Sequence, residues 1–367
     1  MATGNKWIHT EEKIQEEENT HTHTHTHTHT HTHTHTHSLS LTHTHTHTLS
    51  LSLTHTLSLS LSLTHTHTLS LSLSLSLSLT HTHLSLSLSP VPLCGSRTMS
   101  STERAPDLGR ALCVITGASR GFGRTAARQM SRLLKPSSAL VLAARSGDEL
   151  RALQAELVAD AEAGGGGLLV EVVPADLAQP DALERVVAAS ARCFRPDMDH
   201  VILLNNAASL GDVSRYAKSF TNMAEVDSYL SLNVSSSLCL TASFLQAFPQ
   251  RPGLRRTVIN LSSLCAVQPF RSWVLYCTGK AARDMMFRVL AEEEPDVRVL
   301  NYSPGPLDTD MQMLARSRTA DPDIKKSFSN MFAQGQLLTC EASCTKLVKL
   351  LLEDNYVSGA HVDIYDV

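Results

Sequence analysis

Aromatic residues are scarce in this chain, at 5% of 367 residues with two tryptophans. Unbroken apolar runs are short, none approaching the roughly 20 residues of a membrane-spanning helix. Its eight cysteines include no C-x-x-C pair. Cys340 and Cys344 stand four apart, but no histidine or second cysteine pair lies near them, which argues against a zinc site. The scattered thiols read as reduced cysteines of a cytosolic protein. Charge of one sign is lacking too: 31 basic residues face 35 acidic ones, a formal net of −4. No basic stripe points to nucleic acid or to an anionic membrane surface.

What is present divides sharply. Residues 20–89 alternate almost entirely between His-Thr and Leu-Ser, and 17 of the 20 histidines fall there. Such monotony cannot specify one packed core, because every register is equivalent. The tract has no basic segment before a compact apolar run, as a signal peptide would, and Ser or Thr interrupts each apolar residue. CA and CT dinucleotide repeats translate as His-Thr and Leu-Ser, so the tract reads as translated simple-repeat DNA, with Met99 the expected start. The expected organisation is a disordered low-complexity segment over 1–98 and one α/β domain over 99–367.

From Ala111 the pattern alternates. Buried strands are expected at Ala111–Ile115, Ala139–Ala143, Leu168–Val173, His200–Leu204, Thr257–Leu261 and Val297–Leu300, with a last one near His361–Tyr365. Helices are expected at Phe122–Leu134, Asp148–Ala163, Asp181–Cys193, Met223–Phe248, around Tyr276, and near Glu341–Leu352. Strands alternating with helices predict a doubly wound, mainly parallel sheet with helices on both faces, its ligand at the carboxyl ends of the strands.

Immediately after the first strand comes Thr116-Gly117-Ala118-Ser119-Arg120-Gly121-Phe122-Gly123. Three glycines between a buried strand and a helix let backbone approach a pyrophosphate, and the helix N-terminus favours the anion. The second strand runs into Arg145 and Ser146, where sites preferring NAD place an acidic residue. Two guanidiniums, Arg120 and Arg145, suit a ribose 2′-phosphate, so NADP(H) is the expected cofactor. Asp176 and Leu177 follow the third strand, on the side of the adenine, and Asn206 follows the fourth, on the side of the nicotinamide.

The most informative constellation is Tyr276 and Lys280, four apart on one helix face, with Ser263 thirteen residues earlier. A cation beside a phenol favours the phenolate and lowers its pKa, which makes a proton donor useful near neutrality. A hydroxyl close by can grip a carbonyl oxygen.

Glycine loop, Asn205-Asn206-Ala207, Asn233, Ser263, the Tyr276–Lys280 pair and Pro304-Gly305 together resemble the short-chain dehydrogenase/reductase family, over about residues 108–367. The resemblance implies a Rossmann-like fold, and a homodimer formed through the long helices. It implies that Tyr276 donates a proton to the substrate carbonyl, Lys280 holds the nicotinamide ribose, Ser263 orients the carbonyl, and Asn233 holds a water linking Lys280 to solvent. It also places Leu307, Thr309, Asp310 and Met311 against the cofactor, and Leu264 and Gly305 against the substrate. The stretches around Ser209–Val213, Asn301–Met311 and Ser358–Asp363 are similar to a branch of the family that reduces side-chain ketones of pterins. In that branch Asp363 would accept two hydrogen bonds from the pterin ring. Ala208 stands where the family usually has glycine, so a crowded cofactor or a strained turn is expected there. Two alternatives stay open: a general carbonyl reductase, and an inactive cofactor-binding regulatory protein.

Overall fold

The computed structural model describes residues 107–164 and 166–367, and the backbone of two four-residue strands, Thr28–His31 and Thr48–Leu51, which pair in parallel. The expectation of disorder over 1–98 otherwise lies outside the described residues. Contacts divide the chain after Thr98.

The unit that follows is built on a sheet of seven strands. These are β1 (Ala111–Thr116), β2 (Ala139–Ala144), β3 (Leu169–Pro174), β4 (His200–Asn205), β5 (Arg255–Leu261), β6 (Val297–Ser303) and β7 (His361–Asp363). Their order is β3-β2-β1-β4-β5-β6-β7, every neighbouring pair parallel. The order turns back between β1 and β4, which opens a crevice at the carboxyl ends of those strands. β1, β2 and β4 are buried along their whole length, as apolar runs covered by helices on both faces must be.

The helices are α1 (Gly121–Ser131), α2 (Gly147–Ala163), α3 (Pro180–Cys193), α4 (Met223–Leu230), α5 (Ser236–Ala247), α6 (Val274–Glu293), α7 (Asp310–Arg318), α8 (Pro322–Ala333) and α9 (Cys340–Glu353). One core face joins β1 and β2 to Phe122, Met130, Leu150, Leu153 and Leu347, and the other joins them to Val186, Leu240 and Phe244.

Two elements differ from the periodicity. The single helix expected over Met223–Phe248 runs to Ala247 without a gap, widened by a π-turn at Ser231–Ser235. The last strand stops at Asp363, because its carboxylate accepts from the amide of Tyr365 and caps a 3₁₀ turn instead of continuing extended.

Candidate active site

The glycine loop leaves β1 with the amides of Gly117 and Ala118 donating to the carbonyl of Ala143 at 2.7 and 3.3 Å, and enters α1 at Gly121. Arg120, the N-cap of α1, gives no side-chain cap, and the first turn holds no acidic residue. Uncapped amides with the positive end of a helix dipole form a seat for an anion. Gly117 and Gly123 are required by packing. A Cβ on Gly123 would lie 2.4 Å from the carbonyl oxygen of Gly117 and 2.5 Å from Nδ2 of Asn206. Asn206 locks this loop: its amide donates to the carbonyls of Thr116 and Gly117 at 2.8 and 3.2 Å. Ser119 and Phe122 are buried beneath it.

Facing the loop is the segment after β6. Arg120 bonds Asp310 at 2.9 Å across the gap, and Thr309 caps α7. A Cβ on Gly121 would touch Cγ2 of Thr309 at 3.5 Å. Leu307 packs on the core below, and Met311 packs in the cluster that holds Tyr276 and Trp273. Arg145 and Ser146, at the end of β2, are exposed. Asp176 is half-buried and accepts from the amide of Ala178, and Leu177 is buried. The loop and the uncapped helix end fit the pyrophosphate of a nicotinamide dinucleotide.

The reacting groups converge at the next strands. Ser263 follows β5, and Tyr276 and Lys280 lie on α6, both buried. Ser263 Oγ accepts from the amide of Cys265 at 3.2 Å, and its hydroxyl favours the ionised form of the Tyr276 phenol. Lys280 Nζ donates to the carbonyl of Leu261 at 2.5 Å and stands 5.6 Å from the centre of the Tyr276 ring.

The direction of the acid–base balance differs from the sequence expectation. Burial raises the pKa of the Tyr276 phenol, with the neighbouring Cys265 adding to it, against the lowering effects of Ser263 and Arg283. Burial and the nearby guanidinium of Arg283 instead bring Lys280 down to about 7. The phenol is thus held in its protonated, donating form, and the proton on the amine is the loosely held one.

Asn233 sits in the π-turn with its carboxamide fully engaged. Oδ1 accepts from the amide of Ser209 at 2.7 Å, and Nδ2 donates to the carbonyl of Tyr229 and to Ser209 Oγ at 2.9 and 3.1 Å. A water held by this residue would use its main-chain carbonyl, which takes a long 3.4 Å bond from Arg283. Ala208 is unstrained: the non-glycine residues with positive φ among those described are Ser137, Ser272 and Asp354.

On the substrate side, Leu264 is exposed after Ser263, and Trp273 stacks on Phe328 of α8 at 5.1 Å between centroids. Gly305 turns at φ 77°, under Leu338 and Ile364. Asp363 ends β7 at the same edge of the sheet, one carboxylate oxygen accepting from Ser303 Oγ at 2.6 Å and the other from Tyr365 N at 3.1 Å. Each oxygen keeps a second acceptor position.

Sequence reasoning missed Arg283, Asp284 and His361. Arg283 is 1% exposed and donates to Asn260 Oδ1 at 2.7 Å and to the carbonyls of Asn205 and Ala207 at 2.5 and 3.1 Å. Asp284 accepts from Ser262 Oγ, Asn260 Nδ2 and His361 Nδ1. The available signal was helical spacing: Asp284 stands four residues beyond Lys280, on the same face of α6. Among the described residues no His, Cys, Asp and Glu cluster could hold a metal ion, and no helix is long and apolar enough to cross a membrane.

With this fold and this Ser–Tyr–Lys site, and with residues 111–320 matching the family described as short chain dehydrogenase, the chain belongs to that family and is an oxidoreductase. Its similarity narrows further. It is 53% identical over 267 residues to sepiapterin reductase of Bos taurus, spanning 72% of this chain and 98% of that protein. Sepiapterin reductase of Xenopus laevis is 48% identical over 263 residues, with the same two coverages. Among solved structures, the KRED1-Pglu enzyme aligns with a TM-score of 0.57 at 27% identity, over 69% of this chain and 100% of that one.

Proposed function

We propose that this chain is an NADPH-dependent reductase of pterin side-chain ketones. It would convert sepiapterin to dihydrobiopterin, and 6-pyruvoyl-tetrahydropterin toward tetrahydrobiopterin. The observation that carries this reading is the placement of Ser263 just past β5, of Tyr276 and Lys280 on the helix that follows, and of the Asp363 carboxylate at the end of β7, all at the carboxyl ends of the strands. Similarity to sepiapterin reductases along 98% of their length supports the choice of substrate. The exposed Arg120 and Arg145 support the 2′-phosphorylated cofactor.

When bound, the reduced nicotinamide supplies the hydride. The chain's own residues do the rest. The phenol of Tyr276 gives its proton to the ketone oxygen, and Ser263 donates to the same oxygen and fixes its direction. Lys280, easily protonated and deprotonated near neutrality, restores the phenol. Asp363 accepts from the amidine-like edge of the pterin.

Spectrophotometric consumption of NADPH with sepiapterin, run on the full chain, tests the reading. Tyr276→Phe is expected to lower kcat by about 10²–10⁴-fold with cofactor affinity nearly kept; unchanged turnover rejects the mechanism. Asp363→Ala separates the pterin reading from a general carbonyl reductase. The pterin KM is expected to rise about tenfold more than that of a small diketone, whereas equal losses favour the general enzyme.

The same reading includes a homodimer. Leu238 on α5, and Met285 and Val289 on α6, are exposed apolar side chains on adjacent helices. Sedimentation at twice the chain mass is the expected result. A cytosolic location fits the seven free cysteines of the described residues.

A further inference from the structure

We propose that His361 and Asp284 form a positioning pair that sets the separation between the substrate-anchoring strand β7 and the proton-donating helix α6. The inference rests on the pterin reading above, and deepens it by naming what holds the anchor in place.

Strand β7 has three residues, lies at the edge of the sheet and pairs with β6 alone. So short an edge strand is weakly held by its ladder. Asn301 of β6 supports it, donating from its amide to the carbonyl of Ala360 and from its side chain to that of Gly359, both at 3.0 Å. These bonds fix β7 to β6. They do not fix it to the helix that carries Tyr276.

His361 makes that link. Its Nδ1 lies 2.5 Å from Asp284 Oδ2 on α6, and 3.4 Å from Ser262 Oγ at the end of β5. The other oxygen of Asp284 accepts from Ser262 Oγ at 2.5 Å and from Asn260 Nδ2 at 3.1 Å. One buried carboxylate therefore ties together the strand end that presents Ser263, the helix and the anchor strand. Tyr276, Lys280 and Asp284 follow one another at intervals of four, so they share one face of α6. His361 and Asp363 are two apart on β7, so they share one face of the strand. A shift of His361 relative to Asp284 would move Asp363 relative to Tyr276.

Charge reinforces the geometry. Asp284 is buried and needs a partner, and the bond to it raises the pKa of His361, with Asp363 and Asp366 acting in the same direction against burial. His361 touches none of the reacting groups, so its effect falls on substrate placement; Asp284 also raises the pKa of Lys280 and so bears on proton transfer as well.

The test is steady-state kinetics with sepiapterin on the full chain, for His361→Leu and His361→Asn. In the leucine variant KM is expected to rise about tenfold while kcat stays within about threefold. Asparagine, which offers an amide donor near the position of Nδ1, is expected to return KM to within about threefold of the parent. An unchanged KM in the leucine variant, a kcat that falls as far as kcat/KM, or an asparagine variant no better than leucine overturns the proposal. Should the leucine variant not fold, His361→Ala takes its place with the same criterion, a rise in KM with kcat kept. A parent chain that does not oxidise NADPH with sepiapterin sinks the pterin reading instead; an active parent indifferent to these changes sinks the positioning pair alone.

Discussion

The two halves of the sheet are built from different materials. In β1 and β2 every residue is buried and none is charged. In β5 and β6, equally central, Asn260 and Asn301 are fully buried and Arg256 is nearly so, while Arg283 and Asp284 press on the first of these from α6. The first half offers the cofactor main chain: uncapped amides, a helix dipole and space left by missing side chains. The second half, which in the proposed reading handles the substrate, is built on side-chain polar groups that must satisfy one another because water cannot reach them. The first should therefore fail when atoms are added, and the second when partners are taken away.

Adding one carbon tests the first half and should give the largest effect. In Gly123→Ala the new Cβ meets backbone at 2.4 Å, on the carbonyl of Gly117, where no rotamer change can relieve it. The loop must open, and NADPH affinity is expected to fall about 100-fold in a fluorescence titration, with the sheet still folded by circular dichroism. Retained affinity would mean that the loop is looser than its packing implies.

Removing a partner tests the second. Asn260 accepts from Arg283 Nε and donates to Asp284 and to Asn301. Asn260→Leu keeps the volume and takes one hydrogen bond each from buried Arg283 and Asp284, which keep their others. The expected cost is about 1–3 kcal/mol in denaturant unfolding, with cofactor affinity per folded molecule falling less than in Gly123→Ala. A loss below about 1 kcal/mol would show that the network is redundant.

The same division explains how far the sequence could be read. Continuous apolar runs marked β1, β2 and β4 to within a residue, because a strand buried on both faces has one pattern. The glycine loop was legible because its function is carried by absence of side chains, which composition displays directly. Tyr276, Lys280 and Ser263 were legible through their spacing. The π-turn within the helix before Phe248 was not, since it accompanies bonds between Asn233 and Ser209, residues 24 apart in the chain. Nor was the network under the site. Arg283-Asp284 reads locally as a solvated charge pair on a helix, and its burial follows from the ends of β4 and β5 reaching it from far along the sequence. His361 was unremarkable beside the histidine-rich tract. Partners supplied by distant strands leave no local period.

Lys280 gives the smallest and most diagnostic effect, because activity and stability should move in opposite directions there. Its folded pKa is about 7 against an ordinary 10.5, lowered by burial first and Arg283 second. Between these values the unfolded chain binds a proton that the folded chain releases. This group's contribution to stability therefore improves as pH rises from about 7 toward 10.5, and is at its worst below 7. Lys280→Met removes that burden and also loses the bond to the carbonyl of Leu261. The variant is expected to be nearly inactive yet more stable than the parent by about 1–2 kcal/mol at pH 7, with the advantage shrinking as pH approaches 10. Urea unfolding at the two pH values measures both. A variant less stable than the parent at pH 7 would mean that the amine's bond to Leu261 outweighs the cost of burying its charge, and that the polar half of the sheet is tuned for stability as much as for proton transfer.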